Sequence, residues 1–217
     1  MLFRNRHEAG ERLASALREA DIVGSEPLVL ALPRGGVPVA APVAARLEAP
    51  LDVLVVRKLG MPGHAELAMG AVAAGGVRVL NEEIVRSFEI AADLVEQVTE
   101  REREELKRRE SLYRGDRPPV ALEGSEVVLV DDGLATGATM RVAIRALRAR
   151  DVARVVVAVP LGAPDVCMAI EREADQTMCL ETPEPFGSVG RWYTDFPQTG
   201  DDEVTRLLEA AARYIGN

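Results

Sequence analysis

Residues 127–139 limit the possible folds more than any other part of the sequence. Four apolar residues, Val-Val-Leu-Val, are followed by two aspartates, two variable positions and the small-residue string Ala-Thr-Gly-Ala-Thr. A short apolar run without polar alternation predicts a strand buried on both faces, as in a parallel sheet covered by helices on each side. The loop would then lie at the carboxyl end of that strand, where open α/β sheets bind their ligands.

The rest of the chain repeats this alternation of short apolar runs and longer amphipathic segments. We therefore predict an α/β fold with a doubly wound, mainly parallel sheet flanked by helices, and one domain over residues 1–217. A β-hairpin is predicted where two short runs flank Ala74-Gly75. The predicted helices are 8–20, 37–47, 90–113, 139–150, 165–173 and 201–215, and the predicted strands are 28–32, 51–56, 68–73, 76–80, 127–130, 155–160 and 177–180.

Composition excludes several classes of protein. With 47% apolar residues, the 217-residue chain is too hydrophobic to be intrinsically disordered, and its apolar runs are shorter than the roughly 18 residues of a membrane helix. The formal net charge of −9 argues against nucleic acid as a partner. No apolar segment follows the first arginines, so we expect a cytoplasmic protein without a signal peptide. Cys167 and Cys179 are expected to be free, buried thiols in a reducing compartment.

The loop after the two aspartates has the properties of an anion site. Residues 136–139 can present backbone N–H groups and two hydroxyls at a helix N-terminus, where the helix dipole favours a phosphate. Carboxylates next to a phosphate would repel it unless they bind another group of the ligand. Vicinal hydroxyls can donate hydrogen bonds to the carboxylates, and a nearby cation would reduce the repulsion. The segment therefore favours a sugar phosphate as the ligand.

These thirteen residues resemble the motif with which type I phosphoribosyltransferases bind phosphoribosyl diphosphate (PRPP). The resemblance implies that Asp131 and Asp132 hold the ribose hydroxyls and contact Mg²⁺ only indirectly, through ribose or water. It also implies a 5-phosphate site formed by the loop residues Ala135, Thr136, Gly137, Ala138 and Thr139. In members that act on 6-oxopurines an acid stands where this chain has Ala135, so hypoxanthine and guanine are disfavoured as acceptors.

Two further segments are similar to parts of the same family. Arg34, Gly35 and Gly36 follow the first predicted strand and match the loop that cups the diphosphate of PRPP, often through a cis peptide. Arg57 and Lys58, at the end of the second predicted strand, are similar to the flexible-loop region of adenine and orotate phosphoribosyltransferases. Such a loop closes over the reacting centre and excludes water. The roles of His64 and Glu66, farther along this segment, stay open.

Residues 182–200, here called the hood segment, form a long loop rich in aromatic residues. Half of the eight aromatic residues of the chain lie here, namely Phe186, Trp192, Tyr193 and Phe196. Their rings could stack on a planar base, or they could fix the loop to the core. The sequence leaves both possibilities open.

The resemblance implies a Mg²⁺-dependent, homodimeric enzyme that transfers the phosphoribosyl group of PRPP to a nitrogenous base and releases diphosphate. The closer likeness to the adenine enzymes favours a purine-like base. The alternative is a non-catalytic regulator that binds PRPP or a nucleotide on the same fold. The function of the charged helix 90–113 is not predicted.

Overall fold

The computed structural model describes residues 1–61, 64–115 and 117–215, and within them the strands form two sheets. The strands, in chain order, are β1 (Pro27–Ala31), β2 (Leu51–Val53), β3 (Val56–Met61), β4 (His64–Ala73), β5 (Arg78–Leu80), β6 (Glu126–Val130), β7 (Arg154–Leu161) and β8 (Gln176–Glu181). The helices are α1 (Arg6–Ala20), α2 (Gly36–Leu47), α3 (Glu82–Ser87), α4 (Ala92–Arg114), α5 (Ala138–Arg148), α6 (Pro164–Ile170) and α7 (Asp201–Ile215). Short 3₁₀ turns occur at Ala74–Gly76 and Val189–Trp192.

The larger sheet is parallel throughout and has the order β2-β1-β6-β7-β8. Leu30 of β1 pairs with Leu129 of β6, so the carboxyl ends of these two strands lie side by side. After β1 the next strand of this sheet, β2, lies on one side, whereas after β6 the next strands, β7 and β8, lie on the opposite side. Such a reversal opens a crevice at the carboxyl ends of the two central strands.

Helices cover both faces of this sheet because its strands are apolar on both sides. All five residues of β1 are buried, and residues 28–31 alternate between two clusters. Val29 packs with residues of α1, α2, α4 and α7, whereas Leu30 packs with residues of α5 and α6. This arrangement confirms the predicted α/β fold with a parallel sheet between helices. No helix in the described ranges combines the length and apolar character needed to cross a membrane.

The prediction of one strand over residues 51–56 is wrong at its C-terminal end. The parallel strand stops at Val53, and Val56 begins β3, the first strand of an antiparallel sheet with the order β3-β4-β5. Leu54 and Val55, which join the two sheets, are as buried as the strands, so hydrophobicity alone gives no sign of the break. Arg57 and Lys58 therefore lie inside β3 rather than after a parallel strand, and the hairpin pairs β4 with β5.

The prediction of two free thiols is also wrong. Cys167 of α6 and Cys179 of β8 are joined in a disulfide bond. Their Cα atoms are 6.4 Å apart, within the usual range for such a bond. The pairing arises because α6 immediately precedes β8 and packs against it, a contact that the number of cysteines alone does not reveal.

Candidate functional site

The loops that follow β1 and β6 touch each other at the crevice. A Cβ atom added to Gly35 would overlap the Asp132 carboxylate, and one added to Gly36 would lie 2.7 Å from the Val130 carbonyl oxygen. Only residues without a side chain allow this approach. The structure therefore brings Gly35 and Gly36 together with the aspartate pair, although the two loops are far apart in the sequence.

The first loop, residues 32–36, is held by backbone hydrogen bonds at both ends. The Leu32 N–H donates to the Val130 carbonyl at 2.9 Å, and the Gly36 N–H donates to the Leu32 carbonyl at 3.0 Å. The Pro33–Arg34 peptide is cis, the feature that the family resemblance suggested for this loop. The Arg34 guanidinium is partly exposed, and its Nη1 lies 3.8 Å from Asp201 Oδ1 at the start of α7.

The second loop, residues 131–137, ends in a left-handed glycine that begins α5. Gly137 has φ 68° and ψ 1°, a conformation that glycine adopts more easily than residues with a side chain. Ala135 and Thr136 are exposed, and Ala138 and Thr139 form the first turn of a helix without an acidic residue in that turn. The Leu134 N–H donates to Leu161 at the end of β7, which anchors the loop. The loop thus leads from two exposed residues into a half-buried helix N-terminus, an arrangement suited to an anion.

The two carboxylates lie in a strongly unfavourable electrostatic environment. Burial and the neighbouring Asp132 carboxylate raise the pKa of Asp131 well above its ordinary value, although the Asp132 N–H donates to Asp131 Oδ1 at 2.8 Å. Burial also raises the pKa of Asp132, while the positive charge of Arg6 acts in the opposite direction. Half-buried carboxylates that repel each other are typical of sites that bind a ligand or a cation.

Arg6, at the start of α1, contacts Asp132 of this pair, and no pattern in the sequence indicates it. Its Nε and Nη2 atoms are both 2.9 Å from Asp132 Oδ2, and its Nη1 donates to the Pro197 carbonyl at 2.7 Å. The Arg6 guanidinium carbon is 3.6 Å from the centroid of the Phe196 ring. No spacing rule could identify this contact, because Arg6 and Asp132 are 126 positions apart.

The hood segment is fixed to the N-terminal residues and to the aspartate pair. Phe3 forms a β-bridge with Tyr193, and the Thr194 N–H donates to the Phe3 carbonyl at 2.9 Å. The Tyr193 hydroxyl donates to the Asp132 carbonyl at 2.7 Å. The hood segment and residues 2–6 therefore form one layer next to the acids.

Most of the hood aromatics pack against protein groups. Tyr193 and Phe186 are 2% and 9% exposed, and the Tyr193 and Phe196 rings stack with centroids 4.8 Å apart. Trp192 is partly exposed, and its indole N–H donates to the Phe186 carbonyl at 2.9 Å. These contacts fix the hood segment to the core, and Trp192 and Phe196 keep partly exposed surface.

The two cations of β3 have different surroundings. Arg57 donates to Glu102 of α4 at 2.7 Å, and Glu102 is only 8% exposed, whereas Lys58 is exposed. The hydrogen bonds of the described residues do not connect either cation to the aspartate pair. Residues 62–63 and the side chains of His64 and Glu66 lie outside the described part of the chain.

Asp131→Asn is expected to stabilise the fold at neutral pH. A folded-state pKa above the ordinary 3.8 means that ionising Asp131 costs stability, so wild-type stability falls as the pH rises through this window. Asparagine keeps the Oδ1 acceptor without the charge, and the melting temperature should rise by about 2–4 °C for each kcal/mol of relief. Thermal unfolding of both proteins between pH 4 and 8 measures this difference, which should shrink toward pH 4.

Asp175→Asn is the matched control and should have the opposite sign. Burial alone would raise the pKa of Asp175, but hydrogen bonds from the Val155 N–H and Arg148 lower it, so its ionised form stabilises the fold. Equal melting temperatures for wild type and Asp131→Asn at neutral pH would contradict the electrostatic description of the pair.

Comparison with known proteins agrees with the geometry. A family model described as "Phosphoribosyl transferase domain" matches residues 3–189. Two Mycobacterium tuberculosis proteins, "Putative phosphoribosyl transferase MT0597" and "Putative phosphoribosyl transferase Rv0571c", are each 47% identical over 212 residues. The match covers 98% of this chain but only 47% of those proteins, so the chain spans about half the length of these curated relatives.

A solved structure extends the likeness to three dimensions. The crystal structure of TT1426 from Thermus thermophilus is 42% identical in sequence and superposes with a TM-score of 0.84. The match covers 96% of this chain and 98% of that one. Together with the family model, these relatives show that the chain belongs to the phosphoribosyl transferase domain family.

Proposed function

We propose that this protein transfers the 5-phosphoribosyl group of PRPP to a nitrogenous base and releases diphosphate. The observation that carries the proposal is the contact between Gly35 and the Asp132 carboxylate. That contact joins two loops with different chemistry. The loop of residues 32–36 carries the cation Arg34 and two glycines whose backbone a ligand can approach, and the loop of residues 131–137 carries two carboxylates and leads into a helix N-terminus. PRPP contains the complementary groups in one molecule: a diphosphate, two vicinal hydroxyls and a terminal phosphate.

In this proposal each part of PRPP has its own site. Asp131 and Asp132 accept hydrogen bonds from the ribose hydroxyls, and residues 135–139 bind the 5-phosphate through backbone N–H groups and the hydroxyls of Thr136 and Thr139. The diphosphate lies against Arg34 and the backbone of Gly35 and Gly36. The reacting carbon, C1 of the ribose, is then between the two loops.

Catalysis in this arrangement is electrostatic and positional. When the bond between C1 and the diphosphate breaks, positive charge grows on the sugar ring and negative charge grows on the leaving group. The carboxylates lie on the sugar side and Arg34 lies on the leaving-group side, so the charges match on both. Arg57 and Lys58 are further candidates for stabilising the leaving diphosphate. Arg57 would then have to bind the diphosphate and Glu102 at the same time.

The residues present also fit a magnesium ion. No group of three or more His, Cys, Asp or Glu side chains in the described ranges is arranged to hold a metal by itself. Mg²⁺ usually keeps several waters and binds substrate phosphates, so Asp131 and Asp132 would hold it indirectly, through the ribose hydroxyls or through water. When bound, the ion would neutralise charge on the diphosphate.

The acceptor is proposed to be a purine-like base bound under the hood segment. Trp192 retains partly exposed ring surface, and aromatic faces stack on planar bases with about 1–3 kcal/mol each. Phe196 is also partly exposed, but Tyr193 stacks on its ring and the Arg6 guanidinium lies over it, so Trp192 is the better candidate. Tyr193 and Phe186 would support this surface from behind. A homodimer is also proposed, on the family resemblance alone.

The test is to incubate the protein with PRPP and Mg²⁺, add each of a panel of purine and pyrimidine bases, and measure diphosphate release. We expect release with at least one purine-like base and little release without a base. Binding of PRPP without diphosphate release, together with a gel shift of DNA, would instead support the regulator. No binding of PRPP would contradict the transferase, and no binding of either PRPP or a nucleotide would contradict both functions.

A further inference from the structure

Arg6 has an unusually complete set of contacts for an arginine beside a substrate site. Its Nε donates a hydrogen bond to one oxygen of Asp132, Oδ2, its Nη2 lies 2.9 Å from the same oxygen as an ion-pair contact, and its Nη1 donates to the Pro197 carbonyl. The Phe196 ring covers the guanidinium, and the Arg6 side chain is only 11% exposed. Because both contacts are to Oδ2, the Oδ1 atom of the same carboxylate keeps its capacity to accept a hydrogen bond from a hydroxyl.

The backbone that carries Arg6 is held in place from both directions. Asn5 caps α1, with its side chain accepting from the Glu8 N–H at 2.9 Å. Farther along the helix, a Cβ atom on Gly10 would overlap the Val39 carbonyl of α2, so the two helices are in close contact. Since α2 begins at the loop of Gly35 and Gly36, Arg6 has a defined position relative to both loops of the site.

We propose that Arg6 is a positioning residue that fixes the Asp132 carboxylate for recognition of a ribose hydroxyl, and so makes the site select ribosyl over deoxyribosyl phosphates. The inference rests on the proposed function, because it assigns the sugar specificity of the same site. A carboxylate held by a hydrogen bond and an ion pair to the same guanidinium is oriented before the ligand arrives. A hydroxyl at the matching position of the sugar then binds a preorganised acceptor, and a deoxy sugar leaves that acceptor unpaired.

A competing role for Arg6 has the opposite consequence. If the ion pair simply blocked the site, the sugar would have to displace Arg6, and removal of the guanidinium would tighten the binding of every sugar phosphate. The positions of the donors favour the first role, because they leave Oδ1 unused by Arg6 and the guanidinium is retained by Pro197 and Phe196.

The experiment compares wild type, Arg6→Gln and Arg6→Lys in the full chain by calorimetric titration. The probes are ribose 5-phosphate, its 2-deoxy and 3-deoxy analogues, and inorganic diphosphate with Mg²⁺. Wild type should prefer ribose 5-phosphate over at least one deoxy analogue by about tenfold or more, the size expected for a hydrogen bond to a charged group. Arg6→Gln should reduce this preference to about threefold or less, Arg6→Lys should have an intermediate preference, and diphosphate affinity should be unchanged.

The matched control is Arg12→Gln, on the same helix. Arg12 binds Glu181 and the Leu2 carbonyl and stacks on Phe3 at 4.5 Å, but it does not contact the aspartate pair. Its sugar preference should equal that of wild type, and thermal unfolding identifies any variant that fails to fold. Should Arg6→Gln not fold, Arg6→Lys decides the question, since lysine has no planar guanidinium to contact Asp132 through two nitrogens.

Three outcomes would overturn the proposal. These are an unchanged sugar preference in Arg6→Gln, an equal loss of affinity for all four probes, and tighter binding of the sugar phosphates. The proposed function can fail separately: a sugar preference that depends on Arg6, in a protein that releases no diphosphate with any base, supports the positioning role and contradicts the transferase.

Discussion

Asp132→Asn is expected to lower kcat/KM for PRPP by about 100-fold or more while the protein still folds. Hydrogen bonds to a charged group contribute about 1.5–3 kcal/mol, and each 1.4 kcal/mol is a factor of ten. The substitution weakens the acceptor for the ribose hydroxyl and also breaks the ion pair with Arg6. Initial rates of diphosphate release over a range of PRPP concentrations measure the effect, and circular dichroism and thermal unfolding verify the fold.

The control for this prediction is Asp202→Asn, one of three acidic residues in the first turn of α7. Asp202 is exposed, so its neutralisation changes the net charge by the same amount as the test variant. Its kcat/KM should stay within about twofold of wild type, as is usual for exposed positions outside a site. If Asp132→Asn retained wild-type activity, the aspartate pair would have no role in binding the sugar, and the assignment of the site would be wrong.

Gly35→Ala should lower PRPP affinity by up to about 100-fold with a modest loss of stability. The new methyl group occupies the space of the Asp132 carboxylate, which can move away only by giving up its contacts with Arg6, while the backbone of both loops can stay in place. The displaced carboxylate then no longer faces the sugar, and a lost hydrogen bond to a charged group costs about 1.5–3 kcal/mol, or roughly 10- to 100-fold in affinity. Calorimetric titration with PRPP, in parallel with thermal unfolding, separates the two effects.

Two other glycines bracket this result. In Gly36→Ala the methyl group meets backbone atoms, the Val130 oxygen at 2.7 Å and Asp131 Cα at 3.0 Å, which cannot move independently of β6. That variant should lose about 1–3 kcal/mol of stability, the usual cost of overpacking. Gly200→Ala, with nothing within 4 Å of the added carbon, should behave as wild type. If Gly35→Ala bound PRPP normally, the contact between the two loops would not matter for the ligand.

Most of the sheet could be predicted because its strands are continuous apolar runs between clear helix and loop signals. The strands β1, β6, β7 and β8 and the helix α7 were expected within one or two residues of their observed bounds. The loop at residues 131–137 could be predicted for the same reason, since its chemistry and its position after a buried strand are both local properties. Local patterns are what a single sequence displays best.

The features that could not be predicted from the sequence depend on contacts between distant segments. Arg6 is one of many arginines in a charged chain, and only the packing of α1 against α2 brings it to Asp132. The end of β2 was missed because Leu54 and Val55 are buried like a strand, and the disulfide because α6 and β8 meet only in three dimensions. Similarly, composition identified the aromatic residues of the hood segment without indicating that Tyr193 is inside the core.

The pairing of the first residues of the chain with the hood segment has a consequence for engineering the acceptor. The Leu2 and Phe3 N–H groups both donate to the Trp192 carbonyl, and the Tyr193 hydroxyl reaches the Asp132 backbone. A segment transplanted from a relative at residues 182–200 therefore has to follow the same backbone path past residues 2 and 3, and it has to keep a hydroxyl that reaches the Asp132 carbonyl. Any redesign of acceptor preference has to treat the two segments, distant in the sequence, as a single module.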